Sequence, residues 1–464
     1  MPFKPIQFLE TSGVKLSFTN KAITAYGGFA LLAKLFEKLE LRGAIEGMIP
    51  FQEISPNSTG PFAKILRFGL TVIAGGRRFS HTMFLGDSLE IYESEFSVKR
   101  IPKSITAVTR FFRRIKSYQM AERLSEKFWD YTFSRVIPFS EIKGDYLSFD
   151  SSVITRYGEQ EGAVRGYNPK KKGRPSHHPL IGFLNRTKYV VNLWNRSGNA
   201  SSANGCLEFA KQTWERLALR LKILGVLADS AFYQVEFVEF IEDKAVPYVI
   251  SARLSRPLQK EIAKLTDWKK VDEGLSVAEF NFEHKDKKWK KPRRYVVVRQ
   301  QITVEKPKPA GRQLSLFKED EILSCYRYGC YLTSHTEPPE QVWRTYRLRA
   351  GDEGIIRENK EDFALDGFSL DTFFAVEAAM LFRILFYNIV NLFRSKCLGD
   401  DEKRQTLSTL RMKYLLIPAV LGRDGKDIIL RLAVRTQSVR QKILWIINQL
   451  DLLFPKRIAF GPTV

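Results

Sequence analysis

Apolar residues recur at three- and four-residue steps through "GGFALLAKLFEKLEL", and the spacing predicts an amphipathic helix. A second helical stretch, "PKSITAVTRFFRRIKSYQMAERLSEKFWDYTF", starts at Pro102, with Ser104 placed as its N-cap. Near residue 143 the pattern changes. "DYLSFDSSVITRYG" is rich in β-branched and aromatic residues, and "HPLIGFLNRTKYVVNLWNR" reads as two strands joined at Asn185-Arg186-Thr187. Helical periodicity returns in "SANGCLEFAKQTWERLALRLK". A buried strand in "ILGVLADSAFY", a helix in "QVEFVEFIEDK" and a strand in "PYVISARL" follow.

The succession strand, strand, strand, helix, strand, helix, strand is that of an α/β layer with an antiparallel start and a parallel continuation. It is the order expected of a ribonuclease-H-like sheet. "VAEFNFEH", "RRYVVVRQQITVEK" and the Pro/Gly-rich "KPKPAGRQLSLF" interrupt the layer as a small basic β-rich insertion with a loop. "YRYGCYLTSH" reads as a further strand. The organisation expected is a mostly helical N-terminal region over 1–135, a first part of the core over 143–255, the insertion over 256–325, a second part of the core over 326–400, and a C-terminal region over 401–464. That last region holds a hairpin at "GRDGKD" and a closing helix. The most apolar run, "FFAVEAAMLFRILFYNIVNLF", carries Glu377, Arg383, Asn388 and Asn391, which marks a buried core helix rather than a membrane span.

Composition narrows the partners. The chain has 464 residues, 44% hydrophobic and 27% charged, so it is globular and long enough for more than one domain. A formal net charge of +23 points to a polyanion, most commonly a nucleic acid. The basic residues are spread through folded segments rather than one tail, which disfavours a membrane surface. Cys206, Cys325, Cys330 and Cys397 lack zinc-ligand spacing and read as buried free thiols. "MPFKPIQFLE" has no apolar core of a secretory signal, so a cytoplasmic setting is expected. No phosphate-loop motif is present, and no nucleotide cofactor is expected.

Two carboxylates stand in strand contexts. Asp150 interrupts "YLSFDSSVI", and Asp229 ends "ILGVLAD" before the small Ser230 and Ala231. At the carboxyl end of a buried strand an Asp either caps a turn or faces the crevice where α/β sheets bind ligands. A third carboxylate would make a site for Mg²⁺, a hard ion that takes oxygen ligands and that phosphate chemistry uses in pairs. In "YRLRAGDEGIIRENK", Tyr346, Arg349, Glu353 and Lys360 fall on one face if the stretch is helical. A solvated charged helix and a carboxylate flanked by phosphate-seeking groups are both compatible with that spacing.

The pattern Tyr346-x2-Arg349-x3-Glu353-x6-Lys360 resembles the Y-(2)-R-(3)-E-(6)-K motif of bacterial DDE transposases of the insertion-sequence-four-like group. "YNPKKKGRPSHHPLIGFL", "RSGNASSANGCLEFAKQTWERL", "LADSAFY" and "GRQLSLF" are similar to the thirteen-eighty family within it. The resemblance covers about 145 to 400 and implies a ribonuclease-H-like core with a β-rich insertion between the second Asp and the Glu. It implies that Asp150, Asp229 and Glu353 hold two Mg²⁺ ions, with Mn²⁺ as a possible substitute. Tyr346, Arg349 and Lys360 would handle DNA phosphates. The implied chemistry is hydrolytic release of 3′-hydroxyl ends and their joining to target DNA by a homodimer or larger assembly. An inactive transposase-derived DNA-binding protein and a stand-alone nuclease are the rival readings.

Further DNA contacts are expected on three basic stretches. Arg110 and Arg113 lie on the helix after Ser104, which reads either as a groove-reading helix or as a basic helix packed on its neighbours. "NPKKKGRPSHH" offers Lys170, Lys171, Lys172 and Arg174 as a minor-groove hook or a solvated loop. Lys290, Lys291 and Arg293 surround Trp289 in "HKDKKWKKPRR". His177 and His178 are adjacent on a strand, point to opposite faces and are not expected to share an ion.

Overall fold

The computed structural model describes residues 18–166, 168, 171–200, 204–284, 288–301 and 326–453; Lys170, Cys325 and "KPKPAGRQLSLF" lie outside them. The N-terminal part begins with a short strand, β1 (Ile23–Thr24). The helices Phe29–Lys38, Leu41–Met48, Gly60–Ile73, Leu89–Glu95, Ile105–Arg113 and Tyr118–Tyr131 follow. The first buries one stripe, Phe29, Leu32, Leu35 and Phe36, whereas Gly60–Ile73 is buried all round from Phe62 to Ile73. Ser104 Oγ accepts from the Thr106 N–H at 3.2 Å and caps Ile105–Arg113, satisfying one donor that the helix start would otherwise leave open.

The central element is a nine-stranded sheet. Its first strand is β2 (Asp145–Ser151). A small three-stranded sheet of β3 (Ile154–Thr155), β4 (Val164–Arg165) and β5 (Pro175–His177) leads to β6 (Leu180–Leu184) and β7 (Val190–Trp194). Then come β8 (Ile223–Ala228), β9 (Tyr248–Ser251), β10 (Lys269–Asp272), β11 (Leu275–Phe282), β12 (Arg293–Gln301) and β13 (Tyr326–Thr333). The order across the sheet is β10-β11-β12-β13-β9-β8-β2-β6-β7. β2 pairs antiparallel with β6 and parallel with β8, and β8 pairs parallel with β9. Asp145 closes the β6–β7 turn by accepting from the Arg186 and Thr187 N–H groups, each at 2.9 Å.

The stretch after residue 255 does not interrupt the layer; its strands extend it. β13 pairs antiparallel with β9, Leu332 opposite Ile250, and β12, β11 and β10 follow in turn. Without β13, β9 would present a row of unpaired backbone groups.

Side-chain alternation gives the sheet two covered faces. Phe149 of β2 packs against Phe209, Phe232 and Phe237, with ring centroids 5.5–5.9 Å away, and so binds the helices Cys206–Leu217 and Val235–Asp243 to one face. On the other face, Leu227, Val249 and Val296 form a smaller core with Val342, joined by Tyr146 and Tyr346. Val342 and Tyr346 belong to the helix Pro339–Arg347, so this core sets that helix over the Tyr146-Ser148-Asp150 side of β2.

The helix Phe373–Cys397 is the one among the described residues long and apolar enough to cross a membrane, but it is packed inside the molecule. Its polar residues have internal partners. Arg383 donates to the carbonyls of Ala364, Gly367 and Ala379. Asn388 accepts from the Val190 N–H at 3.0 Å and donates to the Val190 carbonyl at 2.8 Å, occupying both backbone groups of the first residue of β7. Gly69 lets the helix Gly60–Ile73 approach closely, since a Cβ there would lie 2.0 Å from the Phe386 ring. At the C-terminal end, β14 (Ala419–Asp424) and β15 (Asp427–Leu432) form a hairpin turning at Gly425 (φ +59°), and β14 also pairs with β1. The helix Gln437–Leu452 closes the described chain.

Candidate active site

The β2–β8 register carries Asp150 and Asp229 to neighbouring positions. Phe149 pairs with Ala228, and the next residue on each parallel strand is the aspartate. Strands in a ladder run about 5 Å apart, so the two carboxylates stand side by side at the carboxyl ends of adjacent parallel strands. Asp229 also caps the single turn Ser230–Phe232, accepting from the Ala231 N–H at 2.8 Å. Capping and facing the crevice, which the sequence leaves as alternatives, are therefore compatible.

Burial raises the pKa of both groups, and their mutual repulsion adds to it at Asp150. Arg349 opposes the shift at each. Its Nη2 donates to Asp150 Oδ2 at 3.0 Å, its Nη1 donates to the Tyr346 hydroxyl at 3.1 Å, and its Nε lies 3.3 Å from Asp352 Oδ2. Burial works against the guanidinium charge, but Asp150 and the surrounding acids hold it more firmly protonated than usual.

The stretch carrying these residues is two helices rather than one. Pro339–Arg347 ends and Ala350–Glu361 begins with Arg349 as N-cap residue. Across the junction the N–H groups of Arg349, Gly351 and Asp352 bond three residues back, tightening the turn. Asn185 in the β6–β7 turn donates both to the Leu348 carbonyl, at 2.9 Å, and to Asp352 Oδ1. Asp352 is fully buried, with its pKa pushed up to about 6 by burial and lowered in part by Arg349. Sequence reading passes over Asp352 and Asn185. The Arg349–Asp352 spacing of three is the signal available, because that separation allows an ion pair on a helical turn.

Glu353 is exposed, one turn beyond Arg349. Two turns further, Lys360 Nζ donates to the Val153 carbonyl at 3.2 Å, just beyond the end of β2. Helical phase therefore puts Glu353 on the face that runs between the Arg349 and Lys360 contacts. Gly351 and Gly354 flank this region with open space where a Cβ would stand. As a donor set, Asp150 and Asp229 suit a hard divalent cation: oxygen ligands, adjacent, and carrying excess buried negative charge. Among the described residues no three His, Cys, Asp or Glu side chains are gathered closely enough to hold an ion as they stand. The acid pair thus fits a metal, and a third ligand would have to come from the neighbouring helix.

The other candidate residues lie apart from this centre. Arg110, Arg113 and Arg114 line a cleft of about 990 Å³ together with Lys103 and Lys116, and Arg113 pairs with Asp371 at 2.8 Å. Lys171, Lys172 and Arg174 are exposed on the loop between β4 and β5, which turns at Gly173 (φ +75°). Lys290 is exposed, and Lys291 meets Glu242 at 3.0 Å. Arg293 is buried, forked onto Glu242 at 2.9 and 3.0 Å and lying over Trp289. His177 is buried between Arg156 and the Glu161 carbonyl, and burial pulls its pKa down to about 4. Cys206, Cys330 and Cys397 are buried and unbridged.

An acid pair at the carboxyl ends of adjacent parallel strands, contacted by the buried Arg349, suits metal-assisted phosphate chemistry. Residues 6–452 match the family described as transposase DDE domain group 1, and the chain belongs to it. It is a DDE transposase, an enzyme of DNA transposition and recombination, and such enzymes generally use divalent metal ions. No curated protein matches the sequence. Among solved structures, the chain is similar to one in the cryo-EM structure of the piggyBac transposase synaptic complex with hairpin DNA. The identity is 13%, the coverage 96% of this chain and 90% of that one, and the TM-score 0.45.

Proposed function

We propose that this transposase belongs to the insertion-sequence-four-like group, closest to the thirteen-eighty family, and that its core is ribonuclease-H-like. On this reading it binds the terminal inverted repeats of an insertion sequence, cleaves the DNA ends and joins their 3′-hydroxyls to target DNA as a homodimer. The observation that carries the reading is the register that sets Asp150 beside Asp229, under a helix bearing Glu353 and Lys360. These three acids would hold two Mg²⁺ ions, or Mn²⁺ in their place. When bound, the ions supply charge neutralisation and activation of the attacking oxygen. On this reading the chain itself supplies alignment, with Tyr346, Arg349 and Lys360 assigned to phosphate oxygens of a strand entering the crevice. The basic stretches at Arg110, Lys171–Arg174 and Lys290 extend the contact to DNA outside the reaction centre.

Asp150→Ala, Asp229→Ala and Glu353→Ala are expected to abolish Mg²⁺-dependent cleavage while leaving DNA binding in place. A variant that retains cleavage near the wild-type rate removes its residue from the triad. Strand-transfer assays on the inverted repeats flanking the gene separate joining from cutting alone. Cut ends that never join would make the protein a nuclease.

A further inference from the structure

Arg349 has two incompatible employments. A phosphate ligand must present its guanidinium to the crevice, yet here the side chain is only 12% exposed and every nitrogen has an internal neighbour. Asp150 is equally committed, since Oδ1 accepts from the Ser151 N–H at 2.6 Å and Oδ2 accepts from Arg349. Each carboxylate oxygen keeps a further lone pair, but a divalent cation on Asp150 would stand beside the guanidinium 3.0 Å away, and two positive charges crowd each other there. We propose that Arg349 is the resident counter-cation of the Asp150–Asp229 pair, held by Asp352, and that it yields Asp150 to a divalent metal ion and becomes free for a substrate phosphate. This rests on the metal assignment made above.

The surroundings fit an exchange of that kind. Asn185 pins the helix junction through the Leu348 carbonyl and Asp352, so the backbone at Arg349 is fixed while its guanidinium has a choice of anions. Asp352 Oδ2 lies 3.3 Å from Nε, the nitrogen nearest the side chain's root, as an ion pair without a hydrogen bond, and that attraction can keep the arm close after Nη2 has left Asp150. Asp352 is thus a positioning residue rather than a metal ligand. With Arg349 in place the acid pair is neutralised without metal. With Arg349 displaced, the phosphate contact becomes available only in a metal-loaded site. By linkage, a phosphate that recruits Arg349 strengthens metal binding by the same factor.

The test is Mn²⁺ binding to the full-length protein without DNA, followed by the electron paramagnetic resonance signal of free Mn²⁺. Wild type is expected to bind Mn²⁺ and Asp229→Asn to lose that binding. If either fails, the metal assignment itself falls. Given that binding, Arg349→Gln is expected to take Mn²⁺ about tenfold more tightly, because a competing charge is gone. A folded Arg349→Gln with wild-type or weaker affinity overturns the counter-cation role and leaves the metal assignment standing. Circular dichroism reports whether the variant folds. Should it not, Arg349→Lys, which lacks the planar fork, is expected to bind Mn²⁺ more tightly than wild type, and equal or weaker binding again overturns the proposal.

Discussion

Glu95 ends the helix Leu89–Glu95 with both carboxylate oxygens shielded and without a hydrogen-bond partner among the described residues. Burial pushes its pKa up to about 8 from an ordinary 4.5. The native state therefore holds a proton that the unfolded chain releases, and the associated stability is complete below about pH 4.5 and lost as pH rises through 8. Glu95→Gln is expected to flatten the fall in urea midpoint between those limits and to melt above wild type at pH 8.5. Asp150 and Asp229 were legible one residue at a time, because a carboxylate inside or ending an apolar run is conspicuous. Asp352 was not. In a stretch where Asp352, Glu353, Glu358 and Glu361 crowd together, burial is decided by partners far away in sequence, Asn185 for Asp352 and Arg394 for Glu358. Arg293 is a similar case: a basic tract looks uniform until one of its members is found forked onto Glu242.

At the scale of elements, local pattern carried the strands well where alternation or an apolar run is uninterrupted, as in β6, β7 and β8. It could not say which strands become neighbours. The pairing of β13 with β9, which makes the β-rich stretch part of the main sheet, is a non-local contact with no sequence period. The break between Pro339–Arg347 and Ala350–Glu361 was equally hidden, since the charged residues on either side keep helical spacing through it. The one-face reading of Tyr346 with Glu353 and Lys360 therefore becomes a relation between two helices. Helix packing also gives a sharp test. At Gly69 an added methyl would press into the Phe386 ring. Gly69→Ala gains helix propensity of about 1 kcal/mol, but overpacking of a tight contact costs about 1–3 kcal/mol. A net loss of stability in urea denaturation is expected, and a gain would show that the two helices can separate freely.

Taken whole, a protein of net charge +23 binds a polyanion largely through counterion release, so its DNA affinity should fall steeply with salt. Replacing Lys171, Lys172 and Arg174 by Ala is expected to flatten the plot of log affinity against log salt by about 0.9 for each phosphate that is no longer neutralised. An unchanged slope would return that loop to solvent. The interior of the molecule bears on its behaviour in concentrated solution through Asn388. By occupying both backbone groups of Val190, one amide removes a position at which the last strand of the nine-stranded sheet could pair with another polypeptide. Asn388→Leu keeps the bulk of the side chain and removes that seal. It is expected to scatter light and form oligomers at concentrations where wild type stays dispersed. A residue that reads as an oddity in an apolar helix would then be what keeps the sheet from growing beyond its own chain.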